Sequence, residues 1–196
     1  MAPSSPVPFV PVPSTPAPLA APLPPPRDPG VPYRISLVCL GNICRSPMAE
    51  TVLRAALDEA GLAEAVTLDS SGTGDWHVGQ PMYPQARSAL ARRGYDGSAH
   101  RARQFRPSWL ADRDLILAMD ASNLATLRRM AGPADRDRIR LFGEVGGLGA
   151  IGGGEIPDPY GGSDADFGYV LDLLGAAAPV IAARLADLLG LPGAPA

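Results

Sequence analysis

Val38-Cys39-Leu40-Gly41-Asn42-Ile43-Cys44-Arg45-Ser46-Pro47 decides how the rest of the chain is read. Before it, Arg34-Ile35-Ser36-Leu37-Val38 is short, apolar and β-branched, the pattern of a buried strand. After it, Ser46-Pro47-Met48-Ala49-Glu50 opens a helix, with Ser46 suited to the N-cap and Pro47 to the first helical position. Strand, tight loop and helix N-terminus form an anion site, because the loop amides and first helical N–H groups lack internal partners and the helix dipole adds positive charge. Gly41 and Asn42 tolerate a left-handed backbone, which turns successive N–H groups inward. Into this site the sequence places Cys39 and, six residues on, Arg45. Such a loop stabilises a thiolate nucleophile, and a guanidinium grips two oxygens of a phosphate.

A bare Cys-x5-Arg is a weak pattern in a chain with 17 arginines, and its ordinary reading is a buried Cys near a surface Arg. The full run from Cys39 to Pro47 is more specific. It resembles the active-site loop of the low-molecular-weight protein tyrosine phosphatases, and the resemblance runs from about Tyr33 to about Leu189.

Outward from the loop, helical spacing continues to Glu59. Further strands are expected at 65–69, 114–119 and 138–142, and helices at 84–94, from 120 to about 130, and from about 164 to 190, the last kinked at Pro179. The glycine-rich segment 143–156 reads as a mobile loop. Strands alternating with helices give an α/β fold with a parallel sheet, helices on both faces and ligands at the carboxyl ends of the strands. The resemblance adds four strands in the order 2-1-3-4, in a single domain.

Residues 1–32 differ in composition, holding 13 of the 23 prolines. They read as a disordered or polyproline-II tail, either an inert extension or a docking segment for a partner, and not as a signal peptide. The phosphatase domain is expected over 33–191, with a disordered C-terminus at 192–196. A net charge of −3 gives no reason to expect nucleic-acid binding. Two cysteines in one loop fit a reducing cytoplasm better than a disulfide framework, and two histidines without ligand spacing make zinc unexpected. No cofactor is expected. The best apolar segment, 171–191, is broken by Pro179 and three charges, so no membrane span is expected.

Phosphoryl transfer from an aryl ester also needs an acid for the leaving oxygen. With 20 Asp and Glu, pattern alone does not select one, although Asp158 stands out between Pro157 and Pro159. The resemblance implies Asp158 as general acid and base, through an Asp-Pro-Tyr motif. It also implies cleft walls at Trp76 and Tyr160, a donor to the sulfur at Ser46, and loop support from Asn42, Ser70 and His100. Phosphate would lie on the loop residues Leu40, Gly41, Asn42, Ile43 and Cys44. Asp120 reads either as a pocket border or as a helix N-cap. Many family members carry a second Tyr after the first; here it is Gly161. Cys44 is either a small loop residue or a resolving thiol for Cys39.

The activity implied is hydrolysis of phosphotyrosine in proteins. Protein-arginine phosphatases share the fold but resemble a loop with Thr where this chain has Ile43. Thiol-linked arsenate reductases relay electrons through later cysteines, and none follows Cys44. A non-catalytic, redox-sensing phosphate-binding module is the remaining alternative.

Overall fold

A computed structural model describes residues 21–191. Four strands form one parallel sheet in the order β2-β1-β3-β4: β1 (Tyr33–Cys39), β2 (Val66–Gly72), β3 (Leu115–Ala118) and β4 (Ile139–Leu141). The helices are α1 (Arg45–Glu59), α2 (Pro84–Ala91), α3 (Ala121–Met130), a single turn α4 (Phe142–Val145) and α5 (Asp164–Leu189). The expected α/β class and strand order are both observed.

Side chains alternate across the sheet with a period of two. Ile35, Leu37, Leu115 and Leu117 face the larger core, which they share with Met48 and Leu53 of α1, Leu90 of α2 and Phe167, Leu174 and Ile181 of α5. Val38, Ile116, Ala118 and Ile139 face the smaller one, closed by Leu127 of α3 and by Leu110 of a 3-10 helix at Pro107–Ala111. Both faces of β1 are therefore covered, and Cys39, its last residue, emerges at the carboxyl edge of the sheet.

Three expectations are corrected. Residues 21–32 belong to the body: they run as a strap along the opposite, amino-terminal edge of the sheet. Leu23 is buried in the larger core and Pro24 O accepts from the buried Tyr33 hydroxyl at 2.9 Å. The Arg27 backbone N–H donates to Asp114 Oδ1 at 2.6 Å, and its guanidinium reaches Arg113 O, Leu110 O and Asp135. Composition favours an extended backbone here, but buried contacts hold it in one place. Residues 1–20 and 192–196 of the expected tails lie outside the described residues.

The glycine-rich segment 143–156 is packed rather than open. Val145, Leu148 and Ile156 are buried in the core, and a Cβ on Gly143 would lie 2.6 Å from Gly154 O. Gly154, at φ 83°, is itself in the left-handed region, so the glycines serve close approach here rather than freedom.

Helix α5 is continuous through Pro179. Pro179 is exposed, as is Gly175 four residues earlier, so water can reach the carbonyl deprived of its donor. By length and composition this helix would suffice to cross a membrane, contrary to the sequence reading, but more than half of its apolar stretch is buried within the protein. It is the central helix of the core.

Candidate active site

The loop after β1 is set by where its carbonyls go. The N–H of Thr73 donates to Cys39 O at 2.9 Å, that of Gly74 to Leu40 O at 2.9 Å and that of Tyr83 to Ile43 O at 2.8 Å. His100 Nε2 meets Asn42 O at 2.7 Å, so this nitrogen carries the proton and donates. With the carbonyls fixed outward, the N–H groups of Leu40, Gly41, Ile43 and Cys44 are left with no acceptor among the described residues. This is the inward nest that the sequence implied.

Asn42 holds the turn. At φ 55° it is the one non-glycine residue with positive φ among the described residues. Its Nδ2 donates to Ser46 Oγ at 2.9 Å and to Ser70 Oγ at 3.0 Å, and its Oδ1 accepts from the Arg103 N–H at 2.9 Å. The expected support from Asn42, Ser70 and His100 is thus assembled around one residue, Ser70 at the Asn42 carboxamide and His100 at its backbone carbonyl. Gly72 lies directly beneath the loop, where a Cβ would stand 2.6 Å from Leu40 O.

Cys39 Sγ sits at the centre, 3.3 Å from the Asn42 N–H and 3.0 Å from Ser46 Oγ. The helix begins at Arg45, so Ser46 is its second residue and not its N-cap; no side chain caps α1. Its hydroxyl is used elsewhere. It accepts from Asn42 Nδ2, and its single proton points to Cys39 Sγ or to Ser71 O at 3.2 Å.

Arg45 is almost fully buried, and its guanidinium ties three segments together. Nη1 pairs with Asp120 and donates to Ile156 O at 3.2 Å, while Nη2 pairs with Asp158 Oδ2 at 2.7 Å. Burial alone would lower its pKa, but Cys39, Asp158 and Asp120 outweigh burial and raise it. Of the two readings offered for Asp120, the helix cap is the one observed: its other oxygen caps α3 by accepting from the Asn123 N–H at 2.7 Å, and it meets the cleft only through Arg45. Asp158 is 42% exposed at the mouth of the cleft, steadied by the Tyr160 N–H at 3.2 Å.

A cleft of about 300 Å³ is lined by Cys39, Leu40, Gly41, Ile43, Cys44, Arg45, Trp76, His77, Asp158 and Tyr160. Trp76 is 65% exposed and Tyr160 59% exposed, as walls rather than core. Tyr160 leans on Tyr83, ring centroids 5.0 Å apart, and Tyr83 stacks on Phe167 of α5. Gly161 leaves open space where a side chain would stand. Cys44 is a buried free thiol; burial, helped by Cys39 and Asp158, pushes it up to about 12, so it is neutral at pH 7.

Of the residues expected at the site, Ser70 and His100 stand behind the loop and the others line the cleft or hold the loop within it. Sequence reading missed His77, Tyr83, Arg103 and Gly72. His77 was weighed only as a metal ligand; its Nδ1 lies 2.8 Å from Gln80 Oε1 and its ring packs over Gly41. The run of small residues at 70–74 was the available signal for Gly72.

The family model described as low molecular weight phosphotyrosine protein phosphatase matches residues 34–188. A low molecular weight protein-tyrosine-phosphatase of Streptomyces coelicolor is 44% identical over 157 residues, covering 79% of this chain and 94% of that one. Among solved structures, the protein tyrosine phosphatase of Entamoeba histolytica, with Hepes in its active site, superposes with a TM-score of 0.74 at 32% identity, covering 79% of this chain and 97% of that one. YfkJ from Bacillus subtilis gives 0.71 at 34% identity, covering 81% and 97%. The strap lies outside the matched segment, and the loop, the cleft and all but the last residue of α5 lie within it. On loop geometry, topology and these likenesses together, the chain belongs to the low molecular weight phosphotyrosine protein phosphatase family.

Proposed function

We propose that this phosphatase hydrolyses phosphotyrosine in proteins through a phosphocysteine intermediate on Cys39. The observation that carries the reading is the convergence of Cys39, Arg45 and Asp158 on one cleft whose floor is a ring of free N–H groups. Phosphate oxygens replace carboxylates as partners of Arg45 and take up the loop amides. The sulfur attacks phosphorus in line as the bond to the aryl oxygen breaks, and Asp158 gives that oxygen its proton. Water then attacks phosphorus, Asp158 takes its proton, and the P–S bond breaks. The Ser46 hydroxyl, 3.0 Å from Sγ, stabilises the departing thiolate.

Asp158 is placed for this exchange because phosphate competes with it for Arg45. The Trp76 and Tyr160 walls suit a phenyl ring, by offset or edge contacts. A phosphoserine is too short to reach the floor between them. The apolar Ile43 in the cleft supports tyrosine over arginine as the phosphorylated residue.

The test compares turnover of phosphotyrosine, phosphoserine and phosphoarginine peptides, with two variants. Cys39→Ser is expected to lose turnover while retaining phosphate binding. Asp158→Asn is expected to slow aryl phosphates with poor leaving groups far more than those with good ones. Normal turnover in Cys39→Ser would remove the nucleophile, and an equal loss across leaving groups would remove the acid.

A further inference from the structure

Tyr83, just before α2, belongs to two parts of the site at once. Its backbone N–H donates to Ile43 O at 2.8 Å and helps to fix the nucleophile loop. Its ring lies against the opposite wall of the cleft, with its centroid 5.0 Å from that of Tyr160 and the two planes tilted by 48°. The same ring also stacks on Phe167, 5.9 Å away and within 19° of parallel. Phe167 is fully buried in α5, so it is a fixed abutment for the other two rings.

Tyr160 has little else to hold its side chain. It is exposed, and its neighbour Gly161, at φ 76°, adds no side chain and leaves open space. The backbone before it is anchored by the buried Ile156 and Pro159, which leaves the direction of the ring to its contacts. Among the described residues, Tyr83 is the one aromatic ring that Tyr160 meets. Asp158, two residues earlier, pairs with Arg45 at 2.7 Å, and phosphate competes for that guanidinium. The contact between Tyr160 and Tyr83 involves no charge and survives this exchange. An aromatic residue suits the position, because a flat ring can stack on Phe167 and still meet Tyr160 at a set angle. An aliphatic chain fills the volume without setting the angle. The Tyr83 hydroxyl makes no hydrogen bond among the described residues, so the ring carries the contact.

We infer that Tyr83 is a positioning residue for aryl substrates: it holds Tyr160 in place as a wall of the cleft, and so sets how tightly the enzyme grips the ring of the phosphorylated residue. Tyr83 does not itself line the cleft, and it acts through Tyr160. The inference rests on the phosphotyrosine reading above.

The test compares two competitive inhibitors of p-nitrophenyl phosphate turnover. Inorganic phosphate needs only the loop. Benzylphosphonate, whose methylene stands for the ester oxygen, also needs the wall. Every variant keeps the backbone N–H that meets Ile43 O. Tyr83→Leu still packs against Phe167, and is expected to raise Ki for benzylphosphonate about five-fold while leaving Ki for phosphate within about two-fold of the parent. Tyr83→Phe keeps the stack and is expected to match the parent on both. Tyr160→Ala is expected to weaken benzylphosphonate at least as much, and adding Tyr83→Leu to it is expected to change Ki by less than about two-fold, because the two residues act as one unit. Equal weakening of both inhibitors in Tyr83→Leu would place its effect on the loop and overturn the inference. So would an unchanged Ki for benzylphosphonate, additive losses in the double variant, or a loss in Tyr83→Phe as large as in Tyr83→Leu. A parent enzyme that binds benzylphosphonate no better than phosphate would overturn the aryl reading of the cleft itself.

Discussion

Leu23→Ala tests whether the strap is part of the folded body. Leu23 is 7% exposed and sits in the core that also holds Tyr33. Truncation removes most of a buried aliphatic side chain and leaves a cavity beneath it, a loss of about 2–3 kcal/mol. In a protein of this size each kcal/mol moves the midpoint by about 2–4 °C, so a fall of about 5–10 °C is expected in thermal unfolding. Catalysis should be spared. The strap meets the first residue of β1, whereas Cys39 is its seventh and last, about 20 Å along the strand. Initial rates on p-nitrophenyl phosphate at 25 °C should match the parent. A midpoint within 1 °C of the parent would mean that the strap contributes nothing there, and a several-fold loss of rate at 25 °C would mean that the two ends of the sheet are coupled.

Two further outcomes concern the loop. Asn42→Ala removes three side-chain hydrogen bonds and puts a Cβ-bearing residue without local polar support at φ 55°. A loss of about 3 kcal/mol in urea unfolding and about 10–100-fold in kcat is expected; parent-like kcat would show that the loop keeps its shape unaided. His100 is held below its usual value by burial, which outweighs its bond to Asn42 O and the nearby Glu50. As pH falls through about 6.5 the unfolded chain takes up this proton first, so the unfolded state binds more protons and His100 contributes a loss of stability toward acid. His100→Gln should therefore lose less stability than the parent between pH 7.5 and 5.5; an equal or larger loss would refute the assignment.

The loop was legible because its information is local. Strand, Cys39, Gly41, Asn42 and Arg45 follow one another, and the backbone rules acting on them reach only a few residues. The α/β class was legible for the same reason, from the alternation of short apolar runs with helical spacing. What escaped depends on partners far along the chain. Ser46 reads as an N-cap by its neighbours, yet its hydroxyl is claimed by Cys39 and Asn42. Gly72 matters because Leu40 O passes over it, and Arg103 because its N–H meets Asn42 across 61 positions. The segment 143–156 looked free because glycine permits freedom; there it permits contact between Gly143 and Gly154. Residues 21–32 looked unstructured because proline composition reports on backbone preference and carries nothing about Asp114 or Asp135, more than eighty residues on.

Pro22, Pro25 and Arg27 have the spacing by which polyproline-reading modules find their ligands. In this protein that stretch is already occupied in cis, with its leucine inside the fold and its arginine clasped by the body's own carbonyls and carboxylate. Any such module would have to compete with the enzyme for a piece of the enzyme, and would win only by loosening the sheet from behind. What reads on paper as a handle for other proteins is a tether turned inward.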